Sequence, residues 1–178
     1  MTTEVYVAAG SNVEPERHLA LAAAELERAF GAVRFSPWYR NKAAGFEGAD
    51  FINFVVGFET ARPAREVLAR LHSIEAKCGR PRSAPRWAPR SMDLDILLYG
   101  DRVCDEPGLA LPRPDLLRRS YMLGPLADIA PQLVHPAAGA TIGELWERFD
   151  RSAHPLVRTE PAFTSRRFDP HPPQESDR

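Results

Sequence analysis

Asp93 and Asp95 stand either side of one leucine in the otherwise apolar run from Met92 to Tyr99. Side chains alternate across a β-strand, so Met92, Leu94, Ile96 and Leu98 are expected on one face and Asp93 and Asp95 on the other. With the apolar face packed on helices, two carboxylates remain together on the open face. Their repulsion is best relieved there by a divalent cation that carries phosphate oxygens. The loop before this run supplies Arg80, Arg82, Arg86 and Arg90, whose guanidinium forks suit triphosphate oxygens because they bind two at once and keep their charge. Arginines for phosphate beside aspartates for a metal point to phosphoryl transfer, in which the protein positions groups and neutralises charge without a nucleophilic side chain. A second run, residues 51 to 60, places Ile52, Phe54, Val56 and Phe58 on a buried face and Phe51 and Asn53 on the opposite one. An aromatic plane beside an amide can hold a flat heterocycle.

Each feature also has an ordinary use. Asp-x-Asp can be a solvated strand edge, an arginine-rich loop a solvated surface, and Phe51 part of an interface. His72 can be a surface residue, Trp87 a loop anchor and Tyr121 a core residue.

The elements that must position these residues follow from periodicity. Residues 4 to 9 form a β-branched run that stops at the turn-forming Gly10, Ser11 and Asn12. Pro15 suits the first turn of a helix with the stripe Leu19, Ala23, Leu26 and Phe30, and with Glu25, Glu27 and Arg28 on the other side. Residues 33 to 39 and 51 to 60 read as extended, separated by a long polar loop. Pro63 opens a second helix with the stripe Val67, Leu71, Ile74 and Cys78, capped at Gly79. With the strand from Met92 to Tyr99 the order is βαββαβ, a ferredoxin-like α+β sandwich with two helices on one face of a four-stranded sheet. Extra C-terminal helices and strands are expected beyond this unit, with residues 113 to 129 and 141 to 150 helical, the latter opening on the capping-box pattern Thr141-Ile142-Gly143-Glu144. Residues 1–158 are read as one domain. Residues 159–178, rich in proline and charge, are read as a disordered tail that cannot offset its ordering entropy by burial.

The 178 residues, 44% of them hydrophobic, suffice for one core. Lys+Arg 23 against Asp+Glu 24 leaves no broad basic field for nucleic acid. No apolar stretch approaches the roughly 20 residues that span a bilayer, and a secretory leader pattern is absent, so a cytoplasmic protein without membrane contact is expected. Cys78 and Cys104 are too far apart for a Cys-x-x-Cys pair and read as reduced bystanders. The two lysines, Lys42 and Lys77, stand outside any Gly-x-x-x-x-Gly-Lys loop, which excludes a P-loop kinase.

The string Arg86-Trp87-Ala88-Pro89-Arg90-Ser91-Met92-Asp93-Leu94-Asp95-Ile96-Leu97 closely resembles the signature of the 6-hydroxymethyl-7,8-dihydropterin pyrophosphokinases. Supporting matches are Ala9-Gly10-Ser11-Asn12, Trp38-Tyr39-Arg40, Phe51-Ile52-Asn53, Ile74-Glu75 to Gly79-Arg80, and Arg119 to Leu126. The resemblance implies transfer of the β,γ-diphosphate of ATP to a pterin hydroxymethyl group, with release of AMP, in folate biosynthesis. It implies that Asp93 and Asp95 hold two magnesium ions, and that Arg80, Arg90 and Arg119 handle the triphosphate and its transition state. Phe51 and Tyr121 match the aromatic pair that sandwiches the pterin, and Asn53 the amide on its polar edge. His72, Glu75, Arg82, Trp87 and Ile96 match nucleotide-site positions. The chain departs from the pattern at Asn41-Lys42-Ala43-Ala44, where Ala43 and Ala44 fall in the pterin loop. It departs again at Pro112-Arg113, where relatives often carry Pro-His and Arg113 can serve phosphate, and at Ser83, where a relative can carry lysine. The family implies a monomer with ATP and a pterin alcohol as partners. The alternatives are a pterin-binding paralogue, a phosphotransferase with a different acceptor, and an RNA-binding module on the open sheet face, the last opposed by the two aspartates there.

Overall fold

The computed structural model describes residues 1–43, 48–79 and 92–160. Of the expected tail, 159–178, Thr159 is instead the end of an edge strand, and the residues from 161 onward lie outside the described residues, as do residues 44–47 and the arginine-rich stretch 80–91.

The long strand β1 (Thr3–Ser11) is central, pairing antiparallel with β4 (Phe51–Thr60) on one side and β5 (Asp93–Tyr99) on the other. It runs past the expected stop, because Gly10 and Ser11 keep their ladder partners Asn53 and Ile52. The extended stretch after the first helix is two short strands, β2 (Val33–Phe35) and β3 (Trp38–Asn41), both paired with β4. Between them, Ser36 donates its N–H to the Val55 carbonyl at 2.8 Å and accepts the Val55 N–H on its hydroxyl at 2.8 Å. The sheet order β5-β1-β4-β3 is antiparallel throughout.

Helices α1 (Pro15–Phe30) and α2 (Ala64–Lys77) cover one face of this sheet. Val5, Val7 and Ala9 of β1, Phe54, Val56 and Phe58 of β4, and Met92, Leu94 and Ile96 meet Leu19, Leu26, Val67, Leu71 and Ile74 there. Gly79, at φ +84°, lies just past the end of α2, where a residue with a Cβ would be strained. The position of Glu25 differs from expectation. It is buried, together with Ala22, because α2 packs along that side of α1. Lys77 of α2 donates to it at 2.5 Å and Arg28 also pairs with it, so the carboxylate is buried only with partners.

The second face is not open along its whole length, contrary to the sequence reading. Helix α3 (Ser120–Ile129), with α4 (Ile142–Arg148), covers part of it by packing Met122, Leu123, Leu126 and Ile142 against Tyr6, Ala8, Val55, Leu97 and Leu98. Leu98 was expected with Met92, Leu94 and Ile96. The register of β1 on β5 instead shifts between Tyr6 and Val7, which pair with Leu98 and Ile96, so a bulge at Leu97 turns Leu98 to the α3 side. The helix expected from residue 113 begins as a 3₁₀ turn (Pro114–Leu117), and α3 starts only at Ser120 because Arg119 is extended. The capping box of α4 forms: the Thr141 hydroxyl accepts the Glu144 N–H at 3.2 Å, and Glu144 accepts the Thr141 N–H at 3.0 Å. The strands expected beyond the βαββαβ unit are a hairpin of β6 (Cys104–Glu106) and β7 (Leu109–Leu111) and an edge strand β8 (Val157–Thr159) on β3, at positions that periodicity did not single out. Both cysteines are free, and burial pushes the Cys78 thiol up to about 11. No helix among the described residues is long and apolar enough to cross a membrane.

Candidate active site

The uncovered end of the second face is a cleft of about 370 Å³, and the ladder explains why it exists. Gly10 of β1 lies between Asn53 of β4 and Asp93 of β5. Two residues along, Ala8 lies between Val55 and Asp95. The middle strand thus offers only a hydrogen and a methyl group to this face, while its neighbours offer an amide and two carboxylates. At an inter-strand spacing of about 4.8 Å, the amide-bearing strand and the acidic strand are about 10 Å apart. That separation fits a heterocycle held at one end of the cleft and a phosphate chain at the other.

Gly10 cannot be enlarged without disturbance. A Cβ there would meet Asn53 Oδ1 at 2.5 Å. Asn53 is buried and donates its amide to Asn41 Oδ1, while Asn41 donates to the Lys42 carbonyl at 3.0 Å. The Asn53 amide is therefore held in orientation before any ligand arrives. Phe51, paired with Asn41 at the end of the ladder, is half-buried at the rim.

The opposite wall comes from the segment before α3 and from its first turn. Arg113 donates its N–H to the Leu97 carbonyl of β5 at 2.9 Å, so its side chain starts beside the acidic strand. Its guanidinium lies 3.3 Å from Asp95 Oδ1 and 3.9 Å from Asp115 Oδ2. Arg119, at the N-cap of α3, and Tyr121 complete the wall. Burial raises the Tyr121 phenol, and the carboxylates of Asp115, Asp95 and Asp93 raise it further against the opposing effect of Arg119. The ring is neutral at ordinary pH.

Of the residues singled out in the sequence, Phe51, Asn53, Asp93, Asp95, Arg113, Arg119 and Tyr121 line this one cleft. Others lie elsewhere. Ile96 is buried on the α1–α2 side of β5, and His72 is exposed on α2. Glu75 accepts the Leu94 N–H at 2.8 Å, tying α2 to the acidic strand. Ala43 is half-buried and is not among the residues that line the cleft. Ala44, Arg80, Arg82, Arg86, Trp87 and Arg90 lie outside the described residues. Sequence reasoning missed Asp115, Asn41, Ala8 and Gly10 as wall residues. In the sequence the small residues read as a strand and its stop, with Gly10 also in a stretch resembling the family, and only β-sheet register shows that they floor the cleft.

Among the described residues no group of three or more His, Cys, Asp or Glu is arranged to hold a metal by protein ligands alone. Asp93 and Asp95 nonetheless offer hard oxygens of the kind that magnesium takes when it keeps waters and binds substrate phosphates.

An antiparallel α/β sandwich with an acid-and-arginine cleft beside an amide and two aromatic rings is suited to a transferase that handles phosphate and a flat heterocycle. The family described as 7,8-dihydro-6-hydroxymethylpterin-pyrophosphokinase (HPPK) matches residues 6–131, and the chain belongs to it. Curated relatives agree. The 2-amino-4-hydroxy-6-hydroxymethyldihydropteridine pyrophosphokinase of Synechocystis is 40% identical over 150 residues, 83% of this chain and 76% of the relative. That of Pseudomonas aeruginosa is 39% identical over 140 residues, 76% of this chain and 86% of the relative. The crystal structure of Plasmodium falciparum HPPK-DHPS superposes with TM-score 0.65 at 13% identity, covering 83% of this chain and 44% of that one. At that identity the likeness is one of fold, and this chain spans less than half of the longer protein.

Proposed function

We propose that the chain transfers the β,γ-diphosphate of ATP to the hydroxymethyl oxygen of 6-hydroxymethyl-7,8-dihydropterin, giving the pterin diphosphate and AMP for folate biosynthesis. One observation carries the reading: Asn53, Gly10 and Asp93 form one row across three strands, so an oriented amide and the acidic pair share a cleft floored by glycine and alanine. The family membership and the names of the relatives support it.

In this reading Phe51 and Tyr121 hold the two faces of the pterin, and the Asn53 amide reads its polar edge. Asp93 and Asp95 hold magnesium, two ions by family resemblance. Bound there, magnesium would act as a Lewis acid on the phosphate oxygens. Arg113 and Arg119 line the same cleft and orient the triphosphate, joined by Arg80 and Arg90 from the loop before β5. The pterin oxygen attacks the β-phosphorus in line, the bond from that phosphorus to the α-phosphate oxygen breaks, and the hydroxyl proton leaves to solvent. The arginines offset the negative charge that develops. The βαββαβ unit is read as ferredoxin-like, which the order β5-β1-β4-β3 and the two helices on one face support. The protein is read as a cytoplasmic monomer with residues 1–158 as its catalytic domain.

A second reading rests on Asn41, which accepts from Asn53 at the position where the chain departs from the family pattern. It makes the protein a pterin binder of low turnover, or a phosphotransferase with another acceptor. Chromatography of the products from Mg-ATP and the pterin separates these. One AMP per pterin diphosphate is expected; ADP as the nucleotide product, or ATP left intact in the presence of pterin, would reject the proposal.

A further inference from the structure

We infer that Arg113 is an internal counter-cation for Asp95, occupying the approach to the metal site until nucleotide draws it away. The inference rests on the reading of Asp93 and Asp95 as metal ligands, and its evidence is geometric. The Arg113 backbone is fastened to β5 at Leu97, two residues from Asp95 on the same strand, by the 2.9 Å bond to the Leu97 carbonyl. From that anchor the guanidinium reaches Asp95 Oδ1 at 3.3 Å, with Asp115 Oδ2 on its other side at 3.9 Å. Both members of the Arg113–Asp95 pair are partly shielded, with side chains 33% and 22% exposed, so water screens the attraction only in part. The Arg113 Nε is buried without a hydrogen-bond partner among the described groups. A buried donor left unsatisfied makes this arrangement costly to keep once a better acceptor is near.

Two cations cannot share the Asp95 oxygen nearest Arg113 without repelling each other. A divalent ion that reaches Asp95 alone must displace the guanidinium. An ion that arrives with a triphosphate brings oxygens to which the fork can transfer, satisfying its donors again. Arg113 thus disfavours metal without nucleotide and favours the two together, making it a positioning residue that acts through Asp95.

The test is direct binding of manganese(II) to the full chain, followed by the resonance signal of the free ion, with and without a non-hydrolysable ATP analogue. Without nucleotide, Arg113→Gln is expected to bind manganese about three- to tenfold more tightly than wild type. With the analogue present this advantage disappears or reverses. Arg113→Lys, which retains a positive charge, stays near wild type without nucleotide. Structural damage would weaken binding, so tightening is a result that mere misfolding cannot imitate. Unchanged or weaker manganese binding in folded Arg113→Gln overturns the inference, as does tightening of equal size in Arg113→Lys. An Asp95→Asn control separates the two levels: manganese binding unaffected by that change would reject the metal site itself.

Discussion

Gly10 tests at the scale of one residue how the cleft is made. Its missing side chain leaves room for the Asn53 amide, which a Cβ would meet at 2.5 Å. Gly10→Ala is expected to force Asn53 off its orientation at a cost of about 1–3 kcal/mol, the usual range for one methyl group too many in a packed site. Titration of pterin fluorescence should show affinity falling about tenfold, while ATP affinity changes much less. Equal losses for the two ligands would mean that Gly10 does not act through the amide. The same row shows what a sequence makes legible. Alternation alone put Asp93 with Asp95 and Phe51 with Asn53 on the face that carries the cleft, because period-two patterning holds along each stretch of strand that no bulge interrupts. It could not place Gly10 between Asn53 and Asp93, since that fact belongs to register and register is set by three strands at once. Asp115 was hidden for a similar reason. It follows a proline in the short 3₁₀ turn, and the fastening of Arg113 to β5 brings its neighbourhood into the cleft.

At the scale of elements, the helices and long strands followed their periodicity, and the departures have local causes. A bulge at Leu97 reverses Leu98, and a neighbouring helix buries Glu25 on a side that looked polar. The cover supplied by α3 over the second face was invisible because its start is interrupted at Arg119. The turn between α3 and α4 is held by His135. Its ring Nδ1 accepts the backbone N–H groups of Ala137 and Ala138 at 3.2 and 3.0 Å, and its backbone N–H donates to the Ala140 carbonyl at 2.9 Å. The side chain is buried, and burial lowers its tendency to take a proton below the ordinary 6.5. The sign follows from linkage: above the unfolded value both states are neutral and the stability is fully present. As pH falls through about 6.5 the unfolded chain takes up the proton first, and stability declines until the folded value is passed. Thermal melts between about pH 7.5 and pH 5 should show this decline in the wild type, and His135→Asn, which keeps an acceptor but does not titrate, should flatten it. Parallel curves for the two proteins would remove His135 as the cause.

At the scale of the whole molecule, α1 and α2 pack on one sheet face, and α3 with α4 covers part of the other. The cleft proposed for the chemistry lies in the uncovered part, where the central strand presents Ala8 and Gly10. Pyrophosphoryl transfer needs that division, since the reacting groups must be fixed by strands while the triphosphate still enters from solvent. The central claim is that the carboxylates of Asp93 and Asp95 in this cleft form the transfer centre. The most direct measurement is pterin-dependent AMP release from Mg-ATP by the wild type, Asp93→Ala and Asp95→Ala at matched folded concentration. Release by the wild type and its loss by about a hundredfold or more in each variant is the predicted result, because removing a metal-holding carboxylate takes away several kcal/mol of transition-state stabilisation. Near-normal release by either variant would contradict the account.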